Sequence, residues 1–197
     1  MDLTEAIYQR RAVRQFSDRP LEPQVVEELI EAAVQAPSAL NQQPWAFGVF
    51  HGKKRLQAYS DQAKQHLVAT LQPCWDVPLR CQVYEDPEYD IFHGARTLIV
   101  IYAKPGATNP AEDCCMAAQN LLLAAHGVGL GACPIGHLRS WLNLPQIKRQ
   151  LDIPDHLQAV FPLVVGFPAA PVEAVARNAP EIVSWQWDAE LGSGGAG

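Results

Sequence analysis

The stretch Thr97-Leu98-Ile99-Val100-Ile101-Tyr102-Ala103 carries no charge and is almost entirely apolar, with β-branched residues at four of its first five positions. A run of that composition reads as a strand buried on both faces. Trp45 to Phe50 is a second run of strand character, expected to share a sheet with the first, and Ala159 to Val165 is another apolar strand. Helical segments lie around these runs. Asp2 with Glu5 three residues later resembles a capping box, and Leu3 and Ile7 then fall on one face of a first helix. Pro23 suits the first turn of a second helix, where Val26, Leu29, Ile30 and Ala33 have the i, i+3, i+4, i+7 spacing of an amphipathic face; Pro37 ends it. Glu112 to His126 reads as a long helix rich in Ala and Leu that stops at Gly127, a usual left-handed terminating residue. The order does not repeat βαβ, and an α+β fold is expected.

The chain has 197 residues, 48% of them hydrophobic, enough for one core. A single domain over residues 1–191 is expected, with a flexible Gly/Ser tail at 192–197. A formal net charge of -6 gives no long-range attraction for nucleic acid or anionic lipid. The longest uncharged apolar stretch, Met116 to Val128, is shorter than the ~20 residues that cross a bilayer, so no membrane partner is expected. The sequence opens on an acidic helical segment rather than a basic leader, which points to a cytoplasmic location. Five cysteines at 74, 81, 114, 115 and 133 lack C-x-x-C spacing, and the histidines form no H-x-x-x-H pair. No metal is expected, and no cysteine is given a catalytic role. Residues 73–92 follow no clear period and read as an irregular surface excursion.

Four segments carry chemistry. R-R-A-V-R places Arg10, Arg11 and Arg14 at the end of the first helix, with Arg10 and Arg14 on one helical face. Such guanidinium groups either hold a phosphate or pair with local carboxylates. A-P-S-A-L-N-Q-Q-P-W, residues Ala36 to Trp45, offers Ser38, Asn41 and Gln43 either to a polar heterocycle or to its own backbone, while Trp45 belongs to the core. G-V-G-L-G-A-C-P-I-G-H, Gly127 to His137, allows close backbone approach at Gly136 but does not follow a strand with G-x-G-x-x-G spacing, so a Rossmann site is not supported. G-F-P at Gly166 to Pro168 is followed by Arg177.

In this order, together with the A-A-Q-N-L-L-L-A-A helix from Ala117 to Ala125, these segments resemble the nitroreductase family of FMN flavoproteins. The resemblance implies a central mixed β-sheet flanked by helices and a homodimer with FMN at the subunit interface. It places Arg10, Arg11 and Arg177 around the FMN phosphate. Arg14 would lie at the pyrimidine side of the ring, where a cation stabilises the negative charge of the reduced flavin. Pro37, Ser38, Asn41 and Gln43 would come from the partner subunit. Pro134, Ile135 and Gly136 would back the ring, with the Gly136 N–H directed at N5; Arg14 and Gly136 are thus the implied catalytic groups. Ala12 stands where many relatives carry Ser, removing one phosphate hydroxyl. The implied activity is transfer of hydride from NADH or NADPH through FMN to a small electron-poor acceptor, such as a nitroaromatic, quinone or activated carbonyl, by a ping-pong cycle. The alternatives are an oxidation or flavin-consuming reaction on the same scaffold, or flavin binding without catalysis. Trp75, Tyr84, Tyr89 and Phe92 serve equally as pocket lining or ordinary packing.

Overall fold

The structure, a computed structural model, describes residues 2–70 and 83–187. The expected tail at 192–197, Cys74, Trp75 and Cys81 lie outside them. Strand β2 (Thr97–Ala103) is buried along its whole length because it is central to a four-stranded sheet. It pairs on one side with β1 (Trp45–His51) and on the other with β4 (Gln158–Gly166), which pairs with β3 (Gly131–Pro134) at the edge. All three pairings are antiparallel. The expected mixed character comes down to one isolated parallel bridge, Ala12 to Ala132, beside β3.

Alternate residues of β2 face opposite layers, as the strand period of two requires. Ile99, Ile101 and Ala103 enter one core with Leu29 and Ala33 of α2 (Pro23–Ala33) and Ala117 and Leu121 of α4 (Pro110–Gly127). Leu98, Val100 and Tyr102 enter the other, with Leu56 and Leu67 of α3 (Lys53–Thr70) and Trp141 of α5 (Arg139–Leu142). A last short helix, α6 (Pro145–Gln150), leads into β4. Among the described residues, no helix is long and apolar enough to cross a membrane.

Local signals hold at several ends. In α1 (Leu3–Gln9) the Asp2 carboxylate accepts from Glu5 N at 2.7 Å, and Pro23 occupies the first turn of α2. Helix α4 includes Gly127, so the left-handed residue is Gly129 (φ 78°), two positions beyond the expected stop. Leu130 N then reaches back to Ala125 O at 2.8 Å, closing the helix end. The apolar pair Leu3 and Ile7 is 69% and 52% exposed, so this helix shows its apolar face to the outside of the protomer.

The expectation that Arg10 and Arg14 share a helical face is corrected. Helix α1 ends at Gln9; Arg10 has φ -54° and ψ 132°, and the chain continues extended. Tertiary pairing decides this, since Val13 N donates to Ala132 O at 3.1 Å and a continuing helix would forfeit that bond. The stretch read as a glycine loop likewise contains β3, whose edge receives this segment. Gly131 is required there: a Cβ would stand 2.5 Å from Val13 Cγ2 and 2.8 Å from Val13 Cβ. Helix α3 escaped the sequence reading because its polar residues leave a weak apolar stripe; Leu56, Ala63 and Leu67 are its buried apolar positions, and Ser60 and Lys64 are buried beside them. It anchors part of the supposed excursion. Ser60 Oγ accepts from Ile91 N at 3.0 Å, and the buried Lys64 ammonium donates to Asp86 O and Pro87 O. Gly131→Ala is expected to destabilise the protein by about 1–3 kcal/mol through this overpacking, read as a lower midpoint in urea.

Candidate functional site

The extended run from Arg10 to Arg14 spans about 13 Å at ordinary strand rise. Its two ends lie in different surroundings. At the first, burial holds the Arg10 guanidinium below its ordinary pKa, and the adjacent Arg11 and the distant Arg177 push it the same way. Three cations from opposite ends of the chain therefore converge. None forms an ion pair with a carboxylate among the described residues, whose salt bridges involve only Asp18 with Lys53 and Arg96, and Asp61 with Lys64. Arg11 donates to Tyr8 O and Arg10 O, yet its Nε is buried with no partner.

Arg10 and Arg11 line a cavity of about 760 Å³ together with the apolar Val13, Leu122 and Ala132. The volume lies in the range of ligand sites. His126, in the last turn of α4, lines the same cavity with a buried, unpartnered Nε2. Sequence reading passed over it, since a single histidine in an apolar helix has no distinguishing spacing. Crowded cations and orphaned donors are what an acidic oxygen group such as a phosphate satisfies. The arrangement fits the phosphate end of a nucleotide.

At the other end, Arg14 is exposed and acts on Tyr89, His93 and Cys133. Burial lowers the His93 pKa, Arg14 lowers it further, and Asp90 opposes. Cys133 immediately precedes the turn at 134–136, so Arg14 and this turn are neighbours. Pro134 and Gly136 are exposed, and a Cβ on Gly136 would meet nothing within 4 Å. Ile135 is different: its side chain is buried, its N–H donates to Pro162 O at 2.9 Å, and its carbonyl accepts from Leu138 N at 3.0 Å. It supports the turn from within, leaving the outer surface to Pro134 and Gly136. Tyr84 and Phe92 are buried in the second core, which bears out their packing role.

The loop at 37–43 has an unusual backbone. Leu40, Asn41 and Gln43 have φ of 53°, 55° and 47°, in a region that non-glycine residues seldom adopt. Ser38 Oγ accepts from Gln43 N at 3.0 Å, and Gln43 Nε2 donates to Asn41 Oδ1 at 3.0 Å, so part of the polar array does satisfy the loop itself. Pro37, Asn41 and Gln43 remain exposed. Ala39 N donates to the carboxylate of Asp113 in the first turn of α4, whereas the arginine cavity meets that helix at Leu122 and His126. From 113 to 126 a helix rises roughly 20 Å. Within one protomer the loop and the arginines therefore stand at opposite ends of α4.

A family model described as the nitroreductase family matches residues 7–167. The chain belongs to the nitroreductase family. It superimposes on the FMN-bound nitroreductase of Bacteroides fragilis with a TM-score of 0.80 and 22% identity, covering 94% of this chain and 100% of the other. The FMN-dependent nitroreductase of Mycobacterium smegmatis in complex with NADPH matches with a TM-score of 0.67 and 21% identity, over 84% and 87% of the two chains. In sequence, the FMN reductase (NADPH) of Bacillus subtilis is 27% identical over 174 residues, 84% of this chain and 65% of that protein.

Burial pushes the Cys114 thiol up to about 12, with Cys115 and Asp113 adding to the rise; Cys133 is also raised by burial, against the opposing pull of Arg14. Thiolate is the reactive form. At pH 8 both residues are expected to resist iodoacetamide in the folded protein and to label after unfolding, as peptide mass spectrometry would read; rapid native labelling of either would contradict their place in the cores.

Proposed function

We propose that two copies of the chain form a dimer that binds FMN between them and transfers hydride from NADH or NADPH to small electron-poor acceptors. The observation that carries this reading is a cavity lined by Arg10 and Arg11 and by no carboxylate, with Arg177 near enough to act on Arg10, while the loop at 37–43 lies at the other end of α4. One protomer holds two half-sites that a two-fold partner would bring together. Exposed apolar groups support the pairing: Leu3, Ile7 and Tyr8 of α1, Met116 of α4, Leu40 of the loop, and the stacked Trp185 and Trp187.

When bound, FMN supplies a carrier that takes hydride from a nicotinamide and gives it to an acceptor. Arg10, Arg11 and Arg177 would hold its phosphate, with His126 completing the donor set. Arg14 would place positive charge beside the pyrimidine edge, and the open Gly136 backbone would let its N–H approach N5 with Pro134 against the ring. Pro37, Ser38, Asn41 and Gln43 of the partner subunit would cover another edge. A face open to solvent would admit donor and acceptor in turn, which suits a ping-pong cycle and nitroaromatics, quinones or activated carbonyls as acceptors.

Pure protein is expected to be yellow, to release FMN on denaturation, and to bleach anaerobically with NADH or NADPH. FAD in its place would refute the cofactor assignment, and a flavin reduced by neither nicotinamide would favour an oxidation or flavin-consuming reaction. Arg10→Ala should weaken FMN binding by about 1.5–3 kcal/mol, measured by fluorescence titration, as expected for a charge-assisted bond. The shared site is tested by co-expressing Arg14→Ala and Asn41→Ala chains under separate tags. The mixed dimer collects both substitutions in one site and neither in the other, so about half of wild-type activity per dimer is expected if the sites are independent. Activity no higher than that of the two poorly active parents would place both segments in the same subunit's site.

A further inference from the structure

We infer that Asp113 is a positioning residue: its carboxylate holds the loop at 37–43 in the shape that serves the partner's flavin site. The inference rests on the shared-site reading above. Asp113 is 6% exposed, a rare setting for a carboxylate, and both of its oxygens lie within hydrogen-bond reach of Ala39 N, at 3.2 and 3.3 Å. It occupies the first turn of α4, where the helix dipole favours negative charge. The same shoulder grips the loop again three residues on: Thr108 N, just before α4, donates to Gln42 Oε1 at 2.8 Å. Between the two anchors stand Leu40 and Asn41, with Gln43 just beyond, all in the left-handed region.

Backbone in that region is strained for residues other than glycine and persists only where the surroundings over-determine it. Here two of the determinants lie outside the loop, at and just before the first turn of α4. The internal bonds, Gln43 N to Ser38 Oγ, Gln43 Nε2 to Asn41 Oδ1, Asn41 N to Ser38 O and Gln42 N to Ala39 O, close the loop on itself but leave the Ala39 N–H to Asp113. Removing the carboxylate would free the first anchor and let the strained residues relax, changing where Asn41 and the exposed Leu40 stand. The consequence falls on the partner's site, because Asp113 is roughly 20 Å along α4 from the cavity that its own arginines line.

The test uses the full chain. Asp113→Ala should raise the FMN dissociation constant about tenfold, with Asp113→Asn, which keeps one acceptor oxygen, in between. In the flavin-free proteins the Ala39 amide should exchange faster with deuterium than in wild type, while amides of β2 do not. A change in FMN affinity below about twofold, in an Asp113→Ala protein that retains β2 protection, would overturn the inference. The deciding measurement is a mixed dimer of an Asp113→Ala chain with an Arg10→Ala chain. One site then combines intact arginines with an intact loop, and one flavin per dimer should bind at wild-type affinity. If neither site binds tightly, Asp113 acts on its own subunit's arginine site and the inference fails. A parallel Asn41→Ala and Arg10→Ala dimer separates the two readings. One tight site in that control together with none in the Asp113 dimer defeats the inference alone, whereas none in the control defeats the shared site and the inference with it.

Discussion

The sheet and everything attached to it depend on β2 being buried on both faces between two antiparallel neighbours. With no exposed position from Thr97 to Ala103, each residue from Leu98 onward commits to one of two cores. That division seats α2 and α4 on one side and α3 and α5 on the other. A one-residue slip against β1 or β4 would send every side chain to the wrong layer, so the register is strongly specified. The position of β3 then follows from β4, and the position of Arg10 to Arg14 follows from β3 through the Ala12–Ala132 bridge and the Val13 N–H. The chemistry of the arginine segment thus hangs from the centre of the sheet by two successive backbone pairings.

Electrostatics at that segment run against the stability of the empty chain. Arg10, Arg11 and Arg177 repel one another, and the protein supplies them with no carboxylate among the described residues, although it carries more acidic than basic groups overall. The contrast with Asp18 is instructive. That exposed carboxylate is shared by Lys53 and Arg96 and titrates below its usual range because of them. Where the fold needs a satisfied cation on its surface, it provides the partner. In the proposed function a ligand would be the partner at the cavity, and binding it would relieve the repulsion and satisfy the orphaned Arg11 Nε.

In the proposed dimer, helix α4 would link the two half-sites. Its first turn holds the 37–43 loop through Asp113, and its last turn gives His126 to the cavity, so one rigid element sets the spacing between a protomer's loop and its arginines. A rigid spacer of this kind suits a site completed by symmetry, since each protomer then offers its partner both halves at a constant separation.

From the sequence alone, the three long strands, α2, α4 and the membership of the nitroreductase family were legible. Each rests on a local pattern: β-branched runs, i, i+3, i+4 spacing, capping residues, and motifs in a characteristic order. Tertiary structure decided the rest. Arg10 leaves the helix because Val13 finds a better partner in β3. Gly131 belongs to a strand because it pairs with Gly166 of β4, and it must be glycine because Val13 packs where a Cβ would be. Helix α3 has too weak an apolar stripe to announce itself, yet its Ser60 and Lys64 satisfy backbone groups 22 to 31 residues away. The same holds for Asp113 and His126. Neither sits in a motif, and their significance comes from a backbone amide 74 residues distant and from a cavity walled by both ends of the chain. Local propensity is written residue by residue, whereas a buried carboxylate or imidazole acquires its role only when the fold determines what it faces.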